Sequence, residues 1–384
     1  MTHFSQYFAT LAIQDSVQQA QDTSKKNIQR ILAHGRPQNL ADFAALISPE
    51  ASDYLEPLAQ HSRRITQQHF GKTIRLFAPL YLSNECINIC RYCGFSRNNP
   101  IPRHTVPVDQ VRTEAQKLAQ QGFRSLLLVA GEHPKHVSNG YVANCIRECL
   151  PYAPSIQVEL APMETPDYEP LVEAGGEGVV VYQETYHEAT YRTLHTAGPK
   201  KNYTWRLDAP ERAYAAGFRR LGIGALFGLH DWRTEALALA AHARYLLKMC
   251  WKAQLSLSLL RLRPAAGEFA PDLQFQLSDR HLIQLICALR LFLPSAGITL
   301  STREAPELRD RLVPIGVTTL SAGSCTQPGG YSAYDQEEWR PPSKQPGEQF
   351  QIADERPPQT VADMIHRQGY DPVWKDFDQT LASP

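Results

Sequence analysis

Cys86, Cys90 and Cys93 stand at C-x3-C-x2-C spacing in the run APLYLSNECINICRYCGFSRNN, residues 78–99. Thiolates at these offsets on a tight loop converge on one point, so the triplet reads as a metal centre. Cysteine is the ligand of choice for iron–sulfur clusters and for zinc. A closed structural zinc site takes four ligands, usually from paired knuckles. No second C-x2-C or H-x3-H follows, so a fourth zinc ligand has no obvious source. A [4Fe–4S] cluster normally takes four thiolates; three leave one iron open to bind and activate another molecule.

Further residues able to do chemistry stand at the ends of apolar runs. Glu132 follows Gly131 in LLLVAGEHP. A glycine there lets backbone approach a ligand closely, and the carboxylate can bind an ammonium group; the competing reading is an ordinary turn. Glu159 in VELAP and Glu184 in VYQET each close an apolar run. A core-facing carboxylate is costly unless paired, so a polar cleft at a strand end is the natural home for both. Arg303, in ITLSTREAPELRDRL, and Ser321, 18 residues on in LSAGS, put an arginine and a hydroxyl at neighbouring strand ends. Such a pair binds a carboxylate well, although Arg303 could instead pair with Glu307 at i,i+4 on the following helix. Tyr81, five residues before the first cysteine, is expected to look into the same mouth.

These residues need a scaffold that gathers strand ends. From residue 74 onward short apolar runs alternate with amphipathic stretches. The strand candidates are IRLFAPLYLS, SLLLVAG, IQVELAP, GVVVYQET, GIGALFGL, LSLSLLRLRP, ITLST and VTTLSAG. Helical spacing marks VDQVRTEAQKLAQQG, ETYHEATYRTLH, APERAYAAGFRRLG, TEALALAAHARYLLKM and DRHLIQLICALRLFL between them. Continuous apolar strands alternating with helices argue a parallel sheet covered on both faces, and eight such units are the count of a closed (β/α)8 barrel of the TIM type. Chemistry in such barrels sits at the C-terminal ends of the strands, and the cysteine triplet follows the first strand directly. The expected organisation is an N-terminal helical extension over 1–71, the barrel over 72–323, and a Pro-, Gly- and charge-rich segment over 324–384 that caps it. In the extension, residues 40–46 and 55–65 carry apolar residues at helical spacing, with a cap signal at Ser48-Pro49.

Length and charge narrow the class. The chain has 384 residues and a net charge of +0, enough for a large core and without the basic patch that nucleic-acid binding needs. No run of about 18 apolar residues exists to span a membrane, and the N-terminus lacks a secretory pattern. Eight cysteines are too sparse for a disulfide scaffold. Cys145 and Cys149, at i,i+4, read as helix core, and Cys250, Cys287 and Cys325 stand alone. A reducing, cytoplasmic location is expected.

The triplet, with Tyr92 before its last cysteine, resembles the signature of the radical S-adenosylmethionine (SAM) superfamily. The resemblance implies that SAM chelates the open iron and is cleaved to methionine and a 5′-deoxyadenosyl radical. Gly131-Glu132 is similar to that family's GGE motif, which holds the SAM amino group, with Ala130 replacing the first glycine. Glu184, and Arg206 in TWRLDAPERAYAAGFRRLGIGALFGL, resemble SAM-binding residues of the biotin-synthase-like branch, with Glu159 a further candidate for binding SAM; a bidentate guanidinium suits the methionine carboxylate. A structural salt bridge is their other reading. Leu226, within residues 224–229, is a candidate for packing on adenine. LYLSN, CGFS, STRE, LSAGS, TQPGGY, EQF and RQGYDPVWKD together resemble the 2-iminoacetate synthase family. That resemblance implies a tyrosine lyase: L-tyrosine breaks at Cα–Cβ to 2-iminoacetate and p-cresol, supplying the thiazole of thiamine. It further implies that Arg303 and Ser321 hold the tyrosine carboxylate, that Tyr81 contacts the substrate, that flavodoxin or ferredoxin supplies electrons, and that thiazole synthase is a partner. Related lyases acting on tryptophan or serving deazaflavin cofactors share the barrel and triplet, and a non-catalytic iron–sulfur or zinc scaffold is the remaining alternative. The hydrogenase-maturing relative carries an extra C-terminal cysteine cluster, whereas no cysteine follows Cys325.

Overall fold

Eight apolar runs pair edge to edge in parallel and return to the first. In the computed structural model, which describes residues 3–332 and 347–375, they are β1 (Thr73–Ser83), β2 (Ser125–Ala130), β3 (Ser155–Glu159), β4 (Gly178–Glu184), β5 (Arg220–Phe227), β6 (Gln254–Arg261), β7 (Gly297–Leu300) and β8 (Thr319–Ser321). β8 pairs with β1 in the register Arg75↔Thr319, Leu76↔Leu320, Phe77↔Ser321, which closes the barrel. All eight expected strands are present, and the fold is the (β/α)8 barrel read from the alternation.

Why near-continuous apolar runs suit this barrel follows from the pleat, since alternate residues point to opposite faces. Leu80, Leu82, Leu126, Leu128, Val158 and Val179 join the large core beneath the helices, whereas Tyr81, Leu127, Val129 and Val180 form a separate cluster inside the barrel. The register Tyr81↔Val129 and Val129↔Glu159 sets Tyr81 and Glu159 at one level on the interior face. Cys145, Cys149, Cys250, Cys287 and Cys325 are buried thiols away from the triplet loop.

The N-terminal helices pack on the outside of the barrel. Ser48 Oγ accepts from the Ala51 N–H at 3.3 Å, but the cap opens a 3-10 turn, Glu50–Tyr54, before the helix Leu55–Phe70 begins. Buried Gln284 donates to the carbonyls of Leu46 and Ser48 at 3.0 and 2.8 Å, and Phe4 stacks on His242 with ring centroids 3.9 Å apart. At the other end of the chain, residues 347–350 cross the barrel mouth and the helix Pro358–Arg367 leads to β9 (Asp371–Val373), which pairs with Thr73, Ile74 and Arg75 of β1. Residues 333–346 of the expected capping segment and the last residues, 376–384, lie outside the described residues.

Candidate active site

The cysteine loop leaves the top of β1 and is braced from two sides. Ile89–Cys90 forms an antiparallel ribbon with His195–Ala197, in the register Ile89↔Ala197 and Cys90↔His195. The Ile87 N–H donates to the Glu132 carbonyl at 2.8 Å and the Gly94 N–H to the Gln349 carbonyl at 3.0 Å. Gly94 is required there, because a Cβ would lie 2.5 Å from that carbonyl oxygen. Burial pushes the Cys93 thiol up to about 11 and raises Cys90 further, while Lys200 opposes both shifts. Cys86 and Cys93 raise Cys90 in turn, so the three sulfurs share one electrostatic neighbourhood. An all-sulfur donor set beside a lysine fits an anionic iron–sulfur cluster, since metal binding replaces the thiol protons.

The ends of β4 and β5 carry a charged cluster. Glu184 has φ 71, and it is the one non-glycine residue with positive φ among the described residues. Its Oε1 lies 2.7 Å from Lys200 Nζ and 3.6 Å from an Arg206 terminal nitrogen, with Lys200 half-buried and Arg206 buried. Burial alone would raise this carboxyl, but Lys200 and then Arg206 overcome that and hold it below the usual carboxylate range. Arg206 is oriented by its Nε–H, which donates to the Tyr182 carbonyl at 2.6 Å. Behind Glu184, fully buried Glu235 accepts from the Thr185 hydroxyl and from the Tyr186 N–H at 2.7 Å. Asn88 links this side to the loop: it donates to the Glu132 carboxylate at 2.6 Å, and its Oδ1 accepts from the Lys200 N–H at 2.9 Å. Tyr92 hydrogen-bonds His195 Nε2 at 2.8 Å and borders an apolar patch of Leu194, Leu226, Leu229 and Leu260.

Across the mouth a second set gathers. Arg303 lies in the loop beyond β7 and not on the following helix, which starts at Pro306; its guanidinium lies over the Phe350 ring, 3.3 Å from the centroid. Burial lowers its pKa while Tyr81 and Glu159 oppose, but a guanidinium keeps its proton. Ser321 ends β8, and its Oγ accepts from the Thr302 N–H at 3.1 Å, which ties the two strand ends together. Tyr81 donates to Gln349 Oε1 at 2.7 Å and meets Phe95 edge-on. Burial and then the Glu184 charge push the Glu159 carboxyl up to about 7, against Arg303 and Lys200.

The mouth therefore brings together every residue singled out from sequence, in two sets. Lys200, Asn88, His195 and Glu235 were missed, and Gln349 and Phe350 stood in the EQF motif without a role of their own. Nothing in the spacing of GPKK or GEQF marks them; only the ribbon and the crossing segment bring them in. The arrangement offers cations for two carboxylates and carboxylates for ammonium groups, beside a cluster-binding loop and an apolar patch.

Comparison with known proteins agrees. Residues 80–240 match the radical SAM superfamily and residues 258–371 the biotin and thiamin synthesis associated domain, so the charged cluster of β4 lies in the first match and Arg303 and Ser321 in the second. The chain is 43% identical over 341 residues to 2-iminoacetate synthase of Escherichia coli (strain K12), covering 88% of both chains, and equally to that of Salmonella typhimurium. The structure of the FeFe-hydrogenase maturase HydG from Carboxydothermus hydrogenoformans superposes with a TM-score of 0.87 at 34% identity, over 98% of this chain and 86% of that one. The radical SAM barrel, the associated domain and this identity place the chain in the 2-iminoacetate synthase family: it is a radical SAM carbon–carbon lyase that works with a [4Fe–4S] cluster and SAM.

Proposed function

We propose that the mouth binds two α-amino-acid ligands side by side, SAM on the β4–β5 side and L-tyrosine on the β7–β8 side. The observation that carries this is the doubling of the charged sets, each with an arginine and a carboxylate within one mouth. Cys86, Cys90 and Cys93 hold the cluster. When bound, cluster and SAM would supply the radical chemistry that removes a hydrogen atom from tyrosine.

This chain's own residues bind and orient. Arg206 and Lys200 take the methionine carboxylate, Glu132 takes the ammonium group, and Glu184 positions the two cations. Leu226 and its apolar neighbours, with Tyr92 at their edge, receive the adenine. On the far side Arg303 forms a two-pronged pair with the tyrosine carboxylate, the Ser321 hydroxyl adds a hydrogen bond, and Glu159 faces the substrate ammonium. Tyr81, held by Gln349, lines the pocket for the aromatic ring. Tyrosine would thus present its amino group and its Cα–Cβ bond to the centre of the mouth, and the bond would break to give 2-iminoacetate and a phenolic radical fragment, which one further electron and a proton convert to p-cresol. Flavodoxin or ferredoxin supplies both electrons, one for SAM cleavage and one for reduction of the phenolic fragment, and thiazole synthase receives the hydrolysable 2-iminoacetate.

An anaerobic assay with dithionite, SAM and either tyrosine or tryptophan tests the reading. The expected result is p-cresol and 5′-deoxyadenosine with tyrosine only. A tryptophan-derived product, or p-cresol without 5′-deoxyadenosine, would overturn it.

A further inference from the structure

We propose that Glu85, His133 and His136 form a second metal site, for a divalent ion of the zinc class, on the rim of the mouth beside the cysteine loop. One ligand atom from each of the three side chains lies within 4.8 Å of the other two, and all three residues are partly exposed, so an ion can enter. A tetrahedral centre with bonds of about 2.0–2.2 Å needs ligand atoms roughly 3.3–3.6 Å apart, a distance small side-chain rotations reach.

Local chain geometry explains how the donors meet. The N–H groups of His136 and Val137 donate to the His133 carbonyl at 3.2 and 2.7 Å, folding the H-x2-H pair into one turn. The two rings come to 4.5 Å between centroids at 65°. Glu85 arrives from the neighbouring strand. The Gly131 N–H donates to the Ser83 carbonyl at 2.9 Å, and a Cβ on Gly131 would lie 2.3 Å from the Glu85 carbonyl oxygen. The two loops therefore touch, backbone to backbone. His133 Nδ1 is buried with no hydrogen-bond partner among the described residues, and a buried polar atom left unsatisfied is unfavourable. Two imidazoles and one carboxylate are a donor set of zinc centres that keep one position open, and imidazole favours zinc, cobalt and nickel over magnesium or calcium. Since Glu85 adjoins Cys86 and His133 adjoins Glu132, the ion staples the cysteine loop to the loop that carries Glu132. The site stands apart from the assignments of SAM and tyrosine.

The test uses anaerobically prepared protein carrying its iron–sulfur cluster, equilibrated with Zn2+ and passed over a weak chelating resin. Metal analysis is expected to find on the order of one zinc per chain at unchanged iron content, and zinc-edge X-ray absorption to show nitrogen and oxygen ligands including two imidazoles. The double variant His133→Gln/His136→Gln should retain zinc at least about tenfold more weakly with the same iron. Glu85→Gln, which leaves the Glu132 loop intact, should weaken retention in the same direction. Equal zinc retention by these variants, or sulfur scattering at about 2.3 Å from zinc seated on the cysteines, would overturn the proposal.

Discussion

The two sides of the barrel mouth carry similar groups but are built by different means. On the β4–β5 side Glu184, Lys200 and Arg206 lie within 22 residues of one another. They meet through a strand end, a 3-10 turn and a short helix. The meeting has a local cost, because a non-glycine residue at φ 71 is disfavoured by about 1 kcal/mol or more, and Glu235 clamps the two residues that follow it. On the β7–β8 side the order comes from far along the chain. The N–H groups of Ala353 and Asp354 donate to the Thr302 carbonyl at 2.8 and 3.0 Å. Arg309 and Asp354 form a fully buried ion pair, and Arg309 also donates to the Ser321 carbonyl. Arg356 reaches Asp310 at 2.9 Å, and Glu304 accepts from Arg261 Nε at 2.9 Å. The difference teaches that the charged trio of the proposed SAM side is set within one strand–helix unit, while the proposed substrate side is completed by a segment that returns across the mouth.

The largest expected effect breaks what both sides share. Cys93→Ala should lose 5′-deoxyadenosine formation altogether, together with the cluster absorbance; a variant with a normal cluster and full turnover would remove Cys93 from the metal site. The next tests the long-range construction. Arg309→Ala leaves Asp354 with Arg356 as its one cationic partner among the described residues and the Ser321 carbonyl without its guanidinium donor, so it should cost about 1–3 kcal/mol in denaturant unfolding. Arg192→Ala at the exposed Arg192–Glu188 pair should cost at most about 0.5 kcal/mol. Similar losses in the two variants would deny the closing segment its role.

Two matched variants sharpen the division of ligands. Arg206→Ala should weaken SAM binding by about 1.5–3 kcal/mol with the tyrosine requirement little changed. Arg303→Lys keeps charge but loses the two-pronged geometry, so it should raise the tyrosine requirement by about tenfold or more, roughly 1.4 kcal/mol, with SAM binding near wild type and some uncoupled SAM cleavage. Tyrosine titration read as p-cresol, beside equilibrium SAM binding, decides between them: crossed effects would exchange the two sides.

A pH dependence at Glu159 tests the electrostatics that the two sides share. Its carboxyl is raised to about 7 by burial and then by Glu184, so between the ordinary carboxylate range and pH 7 the folded chain holds a proton that the unfolded chain has released. Stability of the ligand-free protein therefore falls as pH rises through that window and stays lowered above it. Glu159→Gln should be more stable than wild type by about 2–3 kcal/mol at pH 8, with the gap closing toward pH 4.5. Parallel melting curves for the two proteins across that range would contradict this origin of the shift.

Much of this molecule follows from the chain read in order. The eight apolar runs specify the barrel because each is buried on both faces, and the cysteine spacing specifies the centre because three thiols on one short loop have one place to meet. Glu132, Glu159, Glu184 and Ser321 were legible because a polar residue closing an apolar strand has only the mouth to point into. Lys200 was not legible, since its partner Glu184 is brought to it by a backbone turn of positive φ that no glycine announces. Gln349 and Phe350 were legible as the EQF motif but their place in the mouth was not, because a Pro- and Gly-rich tail carries no period to say where it returns. Glu85 and the His133–His136 turn meet only because β1 and β2 lie side by side. Residues on separate loops become neighbours through strand pairing and chain closure, and those are properties of the folded barrel that no local spacing encodes.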